Sequence, residues 1–238
     1  MSYYDSNARR MASPVTAEID AGLRAHMQHV YGYMAGGLAL TGLVAYAAAV
    51  SGFYQAIAGT ALIWIVMLAP LGFVLALSFG IQRMSAGTAM MLFWIYAAVM
   101  GLSLGGIFLV YTGTSIARVF FITAATYGAM SLYGYTTRSD VSGFGSFLMM
   151  GLIGIVIASL VNIFVGSSAL QFAISIIGVL VFVGLTAYDT QRIKEMYLES
   201  DSAEIADKKA VMGALALYLD FINLFMMLLQ LFGQRRDN

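Results

Sequence analysis

The sequence predicts an all-α, polytopic membrane protein that crosses the bilayer seven times, and three observations carry that prediction. Of the 238 residues, 61% are hydrophobic and only 10% charged, where a soluble domain of similar size carries about 25% charged residues. Seven apolar runs, at about 30–51, 57–79, 88–111, 116–135, 144–165, 170–189 and 209–232, each approach the ~20 residues that a helical crossing needs. The connections between them alternate in charge. Those after the first, third and fifth runs are uncharged and rich in Ser, Gly and Thr, whereas those after the second, fourth and sixth carry Arg83, Arg138, Arg192, Lys194, Lys208 and Lys209. Arg9, Arg10 and Arg24 precede the first run. By the positive-inside rule this places the N-terminus in the cytoplasm.

In chain order, residues 1–29 are polar and lack an apolar core that could act as a cleavable signal. They are expected to form a cytoplasmic tail up to Pro14, then a short interfacial helix capped by Thr16 or Asp20. Residues 30–233 form the transmembrane domain and 234–238 a short C-terminal tail. Seven crossings leave Arg235 and Arg236 on the side with less positive charge. Six crossings with a re-entrant last segment would avoid that, so both arrangements stand at this level. Arg118, at the outer start of the fourth run, is expected to snorkel to the headgroups. The pairs Gly32/Gly36 and Gly101/Gly105, with Gly106 beside them, have the spacing that lets membrane helices approach closely. The 16 Met residues show no clustering suited to thioether ligation and are expected to pack.

The functional signal lies in carboxylates. The last run, KKAVMGALALYLDFINLFMMLLQLFG (208–233), carries Asp220 close to its middle, with Asn223 near the same helical face. An aspartate at mid-bilayer costs roughly 2.5–3.5 kcal/mol even on the lenient insertion scale, so it needs a partner, a proton, an ion or water. Asp189, at the cytoplasmic end of the sixth run, is the other acid at the edge of an apolar segment. Counting from Lys209 puts Asp220 ~16 Å deep while Asp189 stays near the surface. The two meet only if the helices extend past the bilayer edge, tilt, or sit at different heights. If they meet, they cannot both ionise cheaply, and they titrate as a pair. Their oxygens are hard ligands suited to Ca²⁺. Two aspartates with Asn223 and backbone carbonyls would bind it weakly, as a leak requires. Arg83, after the second run, is the natural counter-charge for Asp189.

Other chemistries fail on inventory. The chain has no Cys, which excludes disulfides and thiolate catalysis, and no basic arm suggests nucleic acid. His26 and His29 both precede the first run, where an interfacial or hydrogen-bonded role is expected. Intramembrane serine proteolysis would want such a base inside the bilayer. The lysines all lie in or beside the last loop, which rules out a retinal Schiff base. An intramembrane aspartyl protease would also use two aspartates on neighbouring helices, but YD followed by LYLDFIN lacks a glycine-rich catalytic loop. No enzyme is expected, and no cofactor.

HVYGYMAGGLALTGLVAY (29–46), LTAYDTQRIK (185–194) and ALALYLDFINLFMMLLQLFG (214–233) closely resemble the transmembrane Bax inhibitor motif family, over essentially the whole chain from about residue 20. The resemblance implies a bacterial inner-membrane protein whose last helix is central and wrapped by the other six. It also implies a pH-sensitive calcium leak, with Asp189 and Asp220 as paired proton sensor and transient calcium ligands, and Arg83 as the latch of the closed state. Calcium would be the permeant ion and membrane lipids the surroundings. Some bacterial relatives are thought to restrain a membrane-bound AAA protease through the N-terminal tail, so a protease-binding protein without conduction is the alternative.

Overall fold

The computed structural model describes residues 14–137, 139 and 141–236. The expected tail (1–13) and Arg138 lie outside them. The described chain is helical throughout: α1 (Pro14–Val50), α2 (Phe53–Ile57), α3 (Leu62–Gly80) ending in a 3₁₀ turn (Ile81–Arg83), α4 (Ala86–Leu104), α5 (Ile107–Val110), α6 (Gly113–Thr136), α7 (Ser142–Val165), α8 (Ser168–Glu195) and α9 (Ala203–Phe232). Seven stretches are long and apolar enough to cross a membrane. Short polar residues start several of them. Ser85, Thr112, Ser167 and Ser202 each accept from a backbone N–H of the following first turn, meeting donors that the helix leaves open.

Two boundaries differ from the sequence expectation. Among the described residues no separate interfacial helix precedes the first crossing. Thr16 and Asp20 lie within α1, which runs unbroken from Pro14, so the boundary expected at residue 29 falls inside a helix. The third run is divided: α4 ends at Leu104, and α5 resumes after Gly105 and Gly106.

The helix that carries Asp220 is the centre of the bundle. The most apolar 18-residue window of α9 is 67% buried, against 11% for α3. It packs on α8, α1, α6 and α4, while α3 rests chiefly on α4 and α7 on α8. The last helix is thus wrapped closely by four helices rather than by six. Outward faces are apolar, with Phe79, Phe121 and Phe164 among the most exposed side chains, as lipid contact requires. Inside, α9 presents small residues (Ala210, Gly213, Ala214) to its neighbours, and backbones approach where side chains are absent.

One face of the bundle collects the basic residues and is sewn together by polar contacts. Glu204 Oε1 accepts from Ala86 N at 3.0 Å and pairs with Lys208 at 3.2 Å, tying the start of α4 to α9. Lys209 bonds Asp201 at 2.6 Å and the Met196 carbonyl at 2.8 Å. Gln191 and Lys194 bond the backbone of the α6–α7 connection and of Tyr135. At the distal face the end of the chain pairs with the α5–α6 connection. Thr112 N donates to Gln234 O and Arg236 N to Val110 O, and Tyr111 and Arg235 form an antiparallel bridge. The last helix therefore runs from the basic face of the bundle to the distal one, without the turn back that the re-entrant alternative requires. Arg118 is exposed near that same face.

Close crossings explain some glycines and not others. A Cβ at Gly101 would sit 2.7 Å from the Thr41 carbonyl, and one at Gly105 2.8 Å from the Ala45 carbonyl, so both bring α4 against α1 as their spacing suggested. Gly36 meets Trp94, but a Cβ at Gly32 would touch nothing within 4 Å, and one at Gly106 meets only Tyr54 at 3.7 Å. A pair expected to share a packing face thus contributes one member to it. The tightest crossing, unmarked by any spacing, is Gly134 of α6, where a Cβ would fall on the Ala187 backbone of α8. Gly134→Ala is expected to destabilise the protein by about 1–3 kcal/mol through forced separation of α6 and α8. Gly32→Ala is expected to be neutral or to stabilise by up to ~1 kcal/mol through helix propensity. Thermal unfolding of the two variants in the same detergent checks the contrast.

Candidate functional site

The α8–α9 register assembles the site. Ile193 lies against Gly213, and Gly178 lies against Met227, so Asp220 stands level with roughly residue 186, about one turn from Asp189 at 3.6 residues per turn. Two features of the helices remove the depth conflict. α8 continues six residues past Asp189, to Glu195, and α9 starts at Ala203, well ahead of Lys209. Because residue 193 faces residue 213, the first turns of α9 project beyond the end of α8. The connection 196–202 runs outward from the end of α8 to reach the start of α9. A residue that looks deep by counting from Lys209 is therefore brought to the neighbourhood of one that looks superficial.

The two carboxyl side chains meet across this seam. Asp220 is 4% exposed, and its Oδ2 has no hydrogen-bond partner among the described residues. Asp189 is half-buried and lines a vestibule of about 590 Å³ at the basic face. Ile81 and Gln82 from the end of α3, Arg192 and Ile193 from α8, and Lys208, Lys209 and Met212 from α9 share its walls. Asp220 lies beyond the inner end, one turn past Ala216 of the wall. One turn further, Phe182 and Leu224 stand level on the two helices and both are buried. The polar route is closed there by apolar side chains.

Neighbouring helices complete the chamber. Tyr127 of α6 is buried, and its hydroxyl donates to Met34 Sδ at 3.4 Å. Thr190, adjacent to Asp189, shares a hydrogen bond with Ser131 Oγ at 3.1 Å, and Ser131 in turn with the Tyr31 hydroxyl. A string of hydroxyls thus links α8 to α1 through α6. Thr186 donates to the Phe182 carbonyl of its own helix at 2.7 Å. These hydroxyls were not singled out in sequence, because Ser, Thr and Tyr are common in membrane helices and only the crossing of three helices groups them. Their one legible trace is Thr186 and Thr190, which lie one turn apart around Asp189.

Other expected residues stand elsewhere. Arg83 is exposed at the end of its 3₁₀ turn, and among the described residues it makes no ion pair with Asp189. The guanidinium that shares the vestibule lining with Asp189 is that of Arg192, in the same helix. The end of α3 is held instead by apolar burial of Leu77 and Ile81. Within that turn Ile81 takes the buried position, which leaves Gln82 and Arg83 exposed. Asn223 donates its amide to the Leu219 carbonyl at 2.8 Å, so its N–H is used within its own helix. His26 is buried. Its Nε2 lacks a partner among the described residues, and its ring is tilted against Tyr197 at 5.7 Å.

Among the described residues no group of three or more His, Cys, Asp or Glu side chains could hold a metal ion. A Ca²⁺ at the pair would have two carboxylates and would take the rest of its 6–8 oxygens from carbonyls and water.

The profile described as "Inhibitor of apoptosis-promoting Bax1" matches residues 23–237. Inner membrane protein YbhL of Escherichia coli K12 is 52% identical over 220 residues, covering 91% of this chain and 94% of that protein. An uncharacterized protein of Rickettsia prowazekii is 52% identical over 219 residues, covering 92% and 93%. One of Deinococcus radiodurans is 44% identical over 216 residues, covering 90% and 92%.

The proximity of the two carboxylates has a thermodynamic consequence. Asp189→Asn and Asp220→Asn each remove the same carboxyl–carboxyl interaction, so the effects of the two single variants on stability do not add in the double variant. A coupling of about 0.5–3 kcal/mol is expected, read from unfolding of the four proteins in detergent at pH 8. Additive singles would mean that the side chains do not sense each other.

Proposed function

Since the chain belongs to the Bax inhibitor family, as an integral membrane protein with relatives in the bacterial inner membrane, we propose that it is a passive, pH-sensitive calcium leak in which Asp189 and Asp220 are both proton sensor and transient ion ligands. The observation that carries the reading is Asp220: a fully buried carboxylate with an unpartnered oxygen, facing a second carboxylate beyond a polar vestibule. A structural hydrogen bond would have satisfied that oxygen. A group that exchanges protons and cations with the vestibule has reason to stay unsatisfied.

The basic face is the cytoplasmic one in this reading, which puts the N-terminus inside. Calcium enters the vestibule from there, or leaves through it, since the leak follows the gradient. Lys208 and Lys209 lie in the wall and are paired with Glu204 and Asp201, which leaves Asp189 as the carboxylate of the vestibule lining itself. Beyond Asp220 the Phe182–Leu224 level has to part. The helix best suited to move is α3. It is the least buried crossing, it contains Pro70, and it contributes Ile81 and Gln82 to the vestibule. Protonation of the pair changes the charge that faces Ile81 and Gln82, and Arg83 is available to pair with Asp189 in another position of α3.

Protonation also removes ligand charge, so proton and calcium compete for the same oxygens and flux need not rise steadily with acidity. Purified protein in liposomes loaded with a calcium dye tests the scheme. Wild type is expected to show a calcium flux that changes across pH 5–8. Asp189→Asn is expected to flatten that profile, and Asp220→Asn to lower the flux about tenfold or more, as loss of a buried ligand does. Unchanged flux in both variants over the whole range would refute the reading.

A further inference from the structure

A second cavity, of about 570 Å³, lies on the flank of the bundle between α1 and α6. Each of these helices packs on α9, yet their backbones stay apart, and the gap between them is the groove. Its walls are apolar along most of their length, with Met34, Ala35 and Leu38 on α1 facing Gly128 and Leu132 on α6. Small residues keep it open: a Cβ on Gly128 would meet nothing within 4 Å. The mouth at the basic face is polar and positive. Arg24 and Gln28 line it beside Tyr135, whose carbonyl and ring hold the Lys194 ammonium.

The length of the groove matches one leaflet. From Arg24 to Leu38 is about 21 Å along the helix, against about 15 Å for half the hydrocarbon core plus the headgroup zone above it. A concavity on the lipid-facing side of a crossing cannot stay empty or fill with water at that depth. Its charge at one end and apolar walls below are those of a single amphiphile with an anionic head.

We propose that the groove between α1 and α6 is a phospholipid site, with an acyl chain along Met34, Ala35 and Leu38 and the phosphate at Arg24. The site does not depend on calcium conduction. Its floor has a further consequence, because Tyr31 and Ser131 line the groove and are linked by hydrogen bonds to Thr190, the neighbour of Asp189. A lipid chain seated there seals the thin wall between Asp189 and the bilayer.

The test uses the full chain in nanodiscs of phosphatidylethanolamine containing a minor fraction of phosphatidylglycerol with a photoactivatable acyl chain, the adducts being mapped by mass spectrometry. Adducts are expected to concentrate on residues 34–38 and 128–135 over the lipid-facing sides of α3 and α7. Arg24→Gln is expected to reduce them about fivefold, the effect of one basic side chain near an anionic headgroup. Gly128→Leu is expected to abolish them without lowering the melting temperature, since the new side chain projects into open space. Ala35→Leu fills the groove from the opposite wall and should do the same. Adducts spread evenly over all lipid-facing helices, or unchanged in both filled variants, would overturn the proposal. So would an unlabelled groove beside normally labelled outer faces, which would mean that protein covers it.

Discussion

The constraint on which the rest of this structure depends is the burial of a carboxylate inside a bundle that is itself surrounded by lipid. Leaving a polar atom unpaired in such surroundings costs several kcal/mol, and Asp220 has an unpartnered oxygen at 4% exposure. The fold can bear this because α9 is clasped by α1, α4, α6 and α8, whose packing energy is spread over many side chains and is indifferent to one bad atom. Placing Asp220 on the central helix also means that no lipid touches it. The cost is confined to the protein interior, where Asp189, the neighbouring hydroxyls and vestibule water can answer it.

The way the chamber is closed follows from how membrane helices cohere. Lipid tails are as apolar as leucine, so helices hold together by close packing rather than by hydrophobic expulsion. Gly134 against Ala187, and Gly101 and Gly105 against α1, make α1, α4, α6 and α8 a tight set around α9. The α3 helix lacks such a crossing onto α9 and rests on α4 with its last turns tucked in through Leu77 and Ile81. The end of α3 is thus held by apolar contact at the edge of the vestibule, and among the described residues Arg83 adds no ion pair to it.

The carboxylates consequently stand between two openings of different character. Towards the basic face the vestibule is polar and charged; towards the flank, the groove between α1 and α6 is apolar with a positive mouth. A string of hydroxyls, from Tyr31 through Ser131 to Thr190, runs between the second and the neighbourhood of Asp189. A hydrogen-bonded partition is stiff while satisfied, and it links α1, α6 and α8 at the level where the acids lie.

Much was legible before any coordinates. The seven crossings, the alternation of charged connections and the isolation of Asp220 in an apolar helix follow from transfer energetics, which act on each segment separately. The motifs around Asp189 and Asp220 likewise pointed to their family. What the segments do to one another was decided only by packing. In water, the apolar stripe of a helix marks its inner face. In lipid, inner and outer faces are both apolar, so the pattern does not say which sides meet. That is why the offset of α8 against α9, which brings Asp189 to Asp220, was invisible to a count of residues from Lys209. The outward turn of Arg83, the burial of His26, the idle Gly32 and the close crossing at Gly134 were hidden for the same reason: each depends on the height and rotation of neighbouring helices, which tertiary contacts alone decide.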